Sequence, residues 1–246
     1  MKGSEGSMDF TFENYKNILL ELKKDFIFKH FDDYSEKGSV YLRHDVDVFP
    51  ENIAAISDIE MECDIRSTFF VLFDSEFYNV LTPRILKILS TVAQNGFAIG
   101  LHIDASQFHS LEELMLDIIR KYEYFRNYIP LQRIVSFHRP MKELFTNIII
   151  PGFINTYEDR FFRTIRYYSD SNRRAFYEVL KPDVNLDSSR SIQLVTHPFW
   201  WDVENLDLQS LAFRLETMHR RRLEESLASN IALYNGFFGQ ENRRPR

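Results

Sequence analysis

One cysteine, Cys63, stands in 246 residues. A lone thiol excludes an intramolecular disulfide and any zinc site built from cysteines. Followed by Asp64, it reads as a helix-end residue rather than a nucleophile. Net positive charge is also missing, the formal balance being −6 at pH 7. Phosphate binding needs a positive face, so no nucleic-acid partner is expected. The clusters Arg220, Arg221, Arg222 and Arg243, Arg244, Arg246 read as solvated local charge. No apolar run approaches the roughly 18 residues that cross a membrane. Residues 1–9 are polar and rich in Gly and Ser, and read as a flexible leader or cloning scar rather than a signal peptide. The expectation is a cytoplasmic protein without a membrane span. There is no internal repeat and no low-complexity block beyond those first residues.

What is present is a globular balance of 44% hydrophobic and 27% charged residues. The length suits a single α/β barrel, here assigned to residues 10–240 with a helical C-terminal region. Phe is frequent at 23 copies, which reads as core filling. Thr11 to Lys24 carries Tyr15, Ile18, Leu19 and Leu22 at helical spacing. Pro50 opens a second helix with Ile53, Ile56 and Ile59 on one stripe, and Pro83 a third that stops near Asn95-Gly96. Leu111 to Phe125 is amphipathic, with Ser110 and Glu113 as a capping box. Between these lie apolar runs that read as buried strands: Val40 to Asp45, Thr68 to Phe73, Phe97 to Ile103 and Arg133 to Phe137. Phe153 to Tyr157, Thr164 to Tyr168 and Ile192 to Thr196 complete the set, residues 171–190 read as loop, and Leu206 to Tyr234 reads as one or two helices. Alternating strands and helices predict an α/β protein with a mainly parallel sheet.

Five of these strands end in polar clusters: Asp45/Asp47, His102/Asp104, His138/Arg139, Asp170 and His197. Parallel α/β folds place chemistry at the carboxyl ends of their strands. Asp45 and Asp47, two apart, point to one face if the strand persists. Such a pair suits a metal ligand beside a general base, since a cation relieves the repulsion; a helix-capping turn is the alternative. His102 is either a ligand or a satisfied core histidine, and imidazole with carboxylate suits zinc. His197, before Pro198-Phe199-Trp200-Trp201, could be a general acid tuned by aromatic neighbours, or the rings could merely pack the rim. Arg139 could orient a carboxylate or close a loop by a salt bridge.

In motif order, residues Val40 to Trp201 resemble the polysaccharide deacetylase family, the chitin, peptidoglycan and exopolysaccharide de-N-acetylases. Arg43-His44-Asp45-Val46-Asp47 is similar to the first motif, Gly100-Leu101-His102 to the second, Phe137-His138-Arg139-Pro140 to the third, and Leu194-Val195-Thr196-His197-Pro198 to the last. The resemblance implies a distorted (β/α) barrel of about seven strands. It implies Asp45 as base, His197 as acid, Arg139 steadying the base and Asp170 tuning His197. Asp47 and His102 become ligands of a divalent metal, zinc by expectation. Trp200, Trp201 and Tyr168 become substrate contacts. The second motif departs from the family: Ser106 stands where a second histidine is usual, so the third ligand falls to His138, with His109, His44 and Asp104 as alternatives.

The leading expectation is a hydrolase that removes an N-acyl group, usually acetyl, from a saccharide or a nucleotide- or lipid-linked sugar precursor. The alternatives are a hydrolase of another non-peptide amide, or a degenerate deacetylase acting as a saccharide-binding or assembly partner. The C-terminal helices could join two subunits.

Overall fold

The computed structural model describes residues 9–139, 148–177, 180, 189–231 and 234. Residues 1–8 of the leader, Pro140, and residues 178, 179 and 181–188 of the expected loop lie outside the described residues. The chain divides into two compact units at Asn205 and Leu206.

The first unit is built on parallel strands: β1 (Ile27–Phe28), β2 (Ser39–Val46), β3 (Thr68–Leu72), β4 (Ala98–Asp104), β5 (Ile134–His138), β6 (Ile154–Asn155), β7 (Arg166–Ser169) and β8 (Ile192–Thr196). Their order is β6-β5-β4-β3-β2-β8-β7, with β1 added beside β2. Every pairing is parallel. The seven-strand path forms a curled half-barrel with helices on its outer side, the distorted (β/α) barrel read from the sequence. The helices of this unit are α1 (Phe12–Leu22), α2 (Asn52–Glu62), α3 (Pro83–Gln94), α4 (Leu111–Phe125) and the short α5 (Asp159–Phe162). The second unit holds one long helix, α6 (Leu208–Asn230), capped by Asp207. Among the described residues no helix is long and apolar enough to cross a membrane.

Local chemistry sets the helix ends. Thr11 accepts from the Asn14 N–H at the start of α1, and Ser110 accepts from Glu113 N–H at the start of α4. The Glu113 carboxylate reaches back one residue further than a simple capping box, to His109 N–H at 3.1 Å. Pro83 opens α3, where its missing N–H costs nothing. Cys63 caps α2 as expected; burial pushes its thiol pKa up, which is wrong for a nucleophile.

Alternation along the strands separates two apolar clusters. Val40, Leu42, Phe69, Val71, Ile99, Leu101 and Leu194 face the helices and pack with residues such as Ile18, Ile53, Leu89 and Ile118. On the inner face Tyr41, Phe70 and Ile134 join Phe31, Phe161 and Ile165. These rings fill the half-barrel near the strand beginnings. Two residues further along β2 the inner positions become Arg43 and Asp45, so the inner face turns polar at the carboxyl ends. Gly100 is what lets β4 pass between β3 and β5: a Cβ there would lie 2.7 Å from the Phe70 ring and 2.8 Å from the Ile134 carbonyl oxygen. Gly100→Ala should therefore destabilise the protein by about 1–3 kcal/mol, read by urea denaturation. A loss below about 0.5 kcal/mol would show that this packing is not tight.

Candidate active site

The site begins on β2. Arg43 and Asp45 lie on its inner face, and Asp47 follows just past its end. Arg43 is fully buried, and its Nη2 donates to Asp45 Oδ2 at 3.2 Å and to the Tyr157 hydroxyl at 3.3 Å. Its Nη1 donates to Thr156 Oγ1 and, at 3.1 Å, to Gln193 Oε1. The guanidinium also lies against the Phe70 and Tyr157 rings. Burial opposes its charge, but Asp45 and the surrounding phenols more than offset that, so its pKa is raised and it stays cationic. Asp45 is thus held at one oxygen, while its buried Oδ1 has no hydrogen-bond partner among the described residues.

Three strand ends then meet. Asp47 Oδ1 lies 3.1 Å from His102 Nε2 and 3.2 Å from His138 Nδ1. The ligand atoms of all three residues fall within 4.8 Å of one another. Burial raises the Asp47 pKa, but the two imidazoles outweigh it and hold the carboxyl well below the usual range. His138 responds in kind: burial lowers its pKa, and Asp47 more than reverses this. Yet Asp47 Oδ1 makes no hydrogen bond of good geometry, and buried His102 Nδ1 is also without a partner among the described residues. A carboxylate oxygen without a well-formed hydrogen bond, set between two imidazole nitrogens, fits a divalent cation, and two imidazoles with one carboxylate suit zinc.

His197 follows β8. Its Nδ1 sits 2.5 Å from Asp170 Oδ1, and its backbone N–H donates to Asp170 Oδ2 at 3.0 Å. Trp201 Nε1 donates to the same Oδ2 at 3.0 Å. The carboxylate thus faces three donors, and it fixes the imidazole so that Nδ1 carries its proton toward Asp170. The other nitrogen, Nε2, faces the metal group, 3.8 Å from Asp47 Oδ2. Burial lowers the His197 pKa, but Asp170 first, then Asp45 and Asp47, push it up to about 9.

The structure therefore brings Asp45, Asp47, His102, His138, Asp170 and His197 to one end of the sheet. Other expected residues stand elsewhere. The guanidinium on Asp45 belongs to Arg43, not Arg139. Arg139, at φ 48°, is exposed and pairs with Asp104 at 3.6 Å. Trp201 and Tyr168 are core residues, so neither offers a ring to a substrate. Trp201 packs on Phe10 and Tyr15 with ring centroids 5.1 and 5.0 Å away. Trp200 is partly buried against the same core. Among the alternatives for a third ligand, His109 is exposed and Asp104 accepts from Ser106 Oγ at 2.6 Å. His44 points to the outer face, where Glu60 Oε1 and Thr196 Oγ1 each lie 2.6 Å from its ring nitrogens. Tyr157, Gln193 and Glu60 were not foreseen. Glu60 at least follows Ile53 and Ile56 at helical spacing, and could have been noticed as a carboxylate on a buried stripe.

No protein-family model and no curated protein sequence matches the chain. Solved structures do. One is a peptidoglycan N-acetylglucosamine deacetylase, at 16% identity over 74% of this chain and 82% of that one, with a TM-score of 0.45. Another is the chitin deacetylase of the fungus Colletotrichum lindemuthianum, at 15% identity over 74% and 83%, TM-score 0.46. A third is a pseudoenzyme of the CE4 family from Bacillus anthracis, at 14% identity over 77% and 67%, TM-score 0.43.

A pKa raised on folding adds stability below the free imidazole's range, near 6.5, and that stability is lost as pH climbs through about 9. NMR titration of the metal-free protein should place the His197 midpoint near 9. In Asp170→Asn, burial loses its main opponent and the midpoint should fall by more than one unit. An unmoved midpoint would remove Asp170 from this role.

Proposed function

We propose that the protein is a metal-dependent hydrolase that cleaves an N-acyl group, acetyl in the simplest case, from an amino sugar or a sugar precursor. The observation that carries this reading is the placement of the Asp45 carboxylate and the Asp170-held imidazole of His197 around one group of potential metal ligands. Asp47, His102 and His138 would hold the ion. When bound there, a divalent cation polarises an acyl oxygen and makes a water more acidic.

The chain's own residues supply the proton transfers. Asp45, with Oδ2 tied to Arg43, keeps Oδ1 available to take a proton from the attacking water. Hydroxide adds to the acyl carbon, and the carbon–nitrogen bond then breaks. His197, cationic at neutral pH because of Asp170, gives its Nε2 proton to the departing amine. Water and amide become carboxylic acid and amine, and the site resets when the proton held at Asp45 is released to solvent and His197 takes one back. Arg43 keeps Asp45 aimed.

One observation favours a wider substrate range. Two of the three residues expected to contact a sugar, Trp201 and Tyr168, are buried in the core. That supports a second reading as a hydrolase of other non-peptide amides, separated from the first by a panel of N-acetylated sugars and simple amides.

With zinc supplied, Asp45→Asn should lower turnover by about 10²–10⁴-fold while leaving zinc affinity by calorimetry within a few-fold. Asp47→Ala or His138→Ala should lose the zinc itself. Equal rates for wild type and Asp45→Asn on a substrate that is turned over would end the assignment of the base. The two arginines give an independent check. Arg43→Lys, which keeps charge but not the fork, should cost roughly 10–100-fold through misplacement of Asp45. Arg139→Ala should cost less than about threefold. The reverse order would return the supporting role to Arg139.

A further inference from the structure

The general acid and the Asp pair stand on neighbouring strands, but the ladder between them stops just short of both. The β2–β8 register ends at His44↔Thr196, one residue before Asp45 and one before His197. Beyond that point the two chains leave the sheet separately. One runs through Asp47 into α2; the other makes the turn Pro198–Trp200 and then enters the core at Trp201.

Asn52, the first residue of α2, rejoins them. Its side-chain amide is buried, and Nδ2 donates to Pro198 O and to Trp201 O, both at 2.9 Å. Both amide hydrogens are thereby used, one on each end of the turn that follows His197. Among the described residues, other polar ties of the His197 loop run to Asp170 on the β7 side and, through Asp202, to the chain at Phe10 and Phe12. They fix His197 against β7 and the N-terminal segment. Toward the segment that carries Asp47, His197 has a looser approach, Nε2 to Asp47 Oδ2 at 3.8 Å, which is beyond hydrogen-bond reach.

We propose that Asn52 is a positioning residue for the reaction: by clamping the 198–201 turn to the start of α2, it sets His197 Nε2 against the Asp45/Asp47 side of the site. The proposal rests on the hydrolase reading for its catalytic consequence, but the clamp itself is observable without any substrate. Asn52 touches neither the reacting atoms nor the metal group, so its loss should act on turnover and leave ground-state binding and zinc affinity largely alone.

The test uses Asn52→Asp, equal in size but with oxygens facing two carbonyls, and Asn52→Ala. With zinc bound, both should lower kcat at least tenfold with KM and zinc affinity within about twofold. Asn52→Ser, which keeps one donor, should recover part of the loss. The second readout needs no activity. The chain has two tryptophans, so a Trp200→Phe background leaves Trp201 as the sole indole. Acrylamide should quench Trp201 at least twofold more efficiently once Asn52 is replaced by Asp or Ala, while far-UV circular dichroism stays the same. Folded variants with kcat unchanged, or with KM raised and kcat kept, would overturn the proposal. So would a Trp201 that stays as shielded as before. If the wild type turns over no N-acyl substrate, the hydrolase reading fails, and quenching alone decides whether Asn52 holds the turn.

Discussion

Asp45, Asp47 and Asp170 bring three carboxylates to the same end of one sheet, largely out of water. Their charges are tolerable only because each has its own compensation. Asp45 has the Arg43 guanidinium at 3.2 Å. Asp170 has an imidazole, a backbone N–H and an indole N–H. Asp47 has two imidazoles beside it but no well-formed hydrogen bond from either at Oδ1. That difference is the chemical content of the site. Asp170 is satisfied by the protein at both oxygens and Asp45 at one, whereas Asp47 Oδ1 lies among a donor set that could hold a cation.

The same demand shapes the scaffold around it. The inner face is filled with rings near the strand beginnings, so polar groups are confined to the carboxyl ends. On the outer face one polar knot interrupts an otherwise apolar layer. Glu60 Oε1 lies 2.6 Å from both the Tyr15 hydroxyl and His44 Nε2, and His44 reaches Thr196 on the other side. The burial of Tyr15, with Glu60 next to it, raises the phenol's pKa well above its ordinary value and keeps it a donor. This knot ties α1, α2, β2 and β8 together beside the two residues, His44 and Thr196, where the ladder ends. A polar cluster in that position specifies the register of β2 against β8 more sharply than aliphatic packing alone would.

Much of this was legible in the sequence because fully buried parallel strands announce themselves as apolar runs, and their polar endings mark the carboxyl edge. Ile192 to Thr196 and Leu111 to Phe125 match the observed bounds of β8 and α4. The two-residue strands were harder: β1 was missed, and the run read at Phe153 to Tyr157 shrinks to Ile154–Asn155, because two residues display no period. Arg43 was missed for a different reason. Its motif was in view, and the two-residue period that pairs Asp45 with Asp47 also puts Arg43 on the same face. Trp201 illustrates a limit of composition. Adjacent tryptophans look alike in a sequence, and only the turn at Pro198–Trp200 sends one into the core while its neighbour stays near the rim.

The arginine beside Asp45 is not the one the resemblance implied, yet the kind of charge is the same. There the third motif offers an arginine for the base and the second motif two histidines for the metal. Here β2 provides the arginine, two residues from Asp45 on the same strand face, and β5 provides a histidine at its last residue. The exchange is self-consistent in geometry. A guanidinium on β2 meets Asp45 without crossing the half-barrel, and that leaves the end of β5 free for His138 to turn toward Asp47. Arg139, no longer needed inside, takes a left-handed backbone conformation and lies at the surface on Asp104. Ser106, at the place of the usual second histidine, has its hydroxyl engaged by Asp104 as well. Each departure from the motif pattern is thus accompanied by a second one that restores the balance. In this chain the opposed charges gather at the strand ends, with β2 supplying both the guanidinium and the carboxylate it holds.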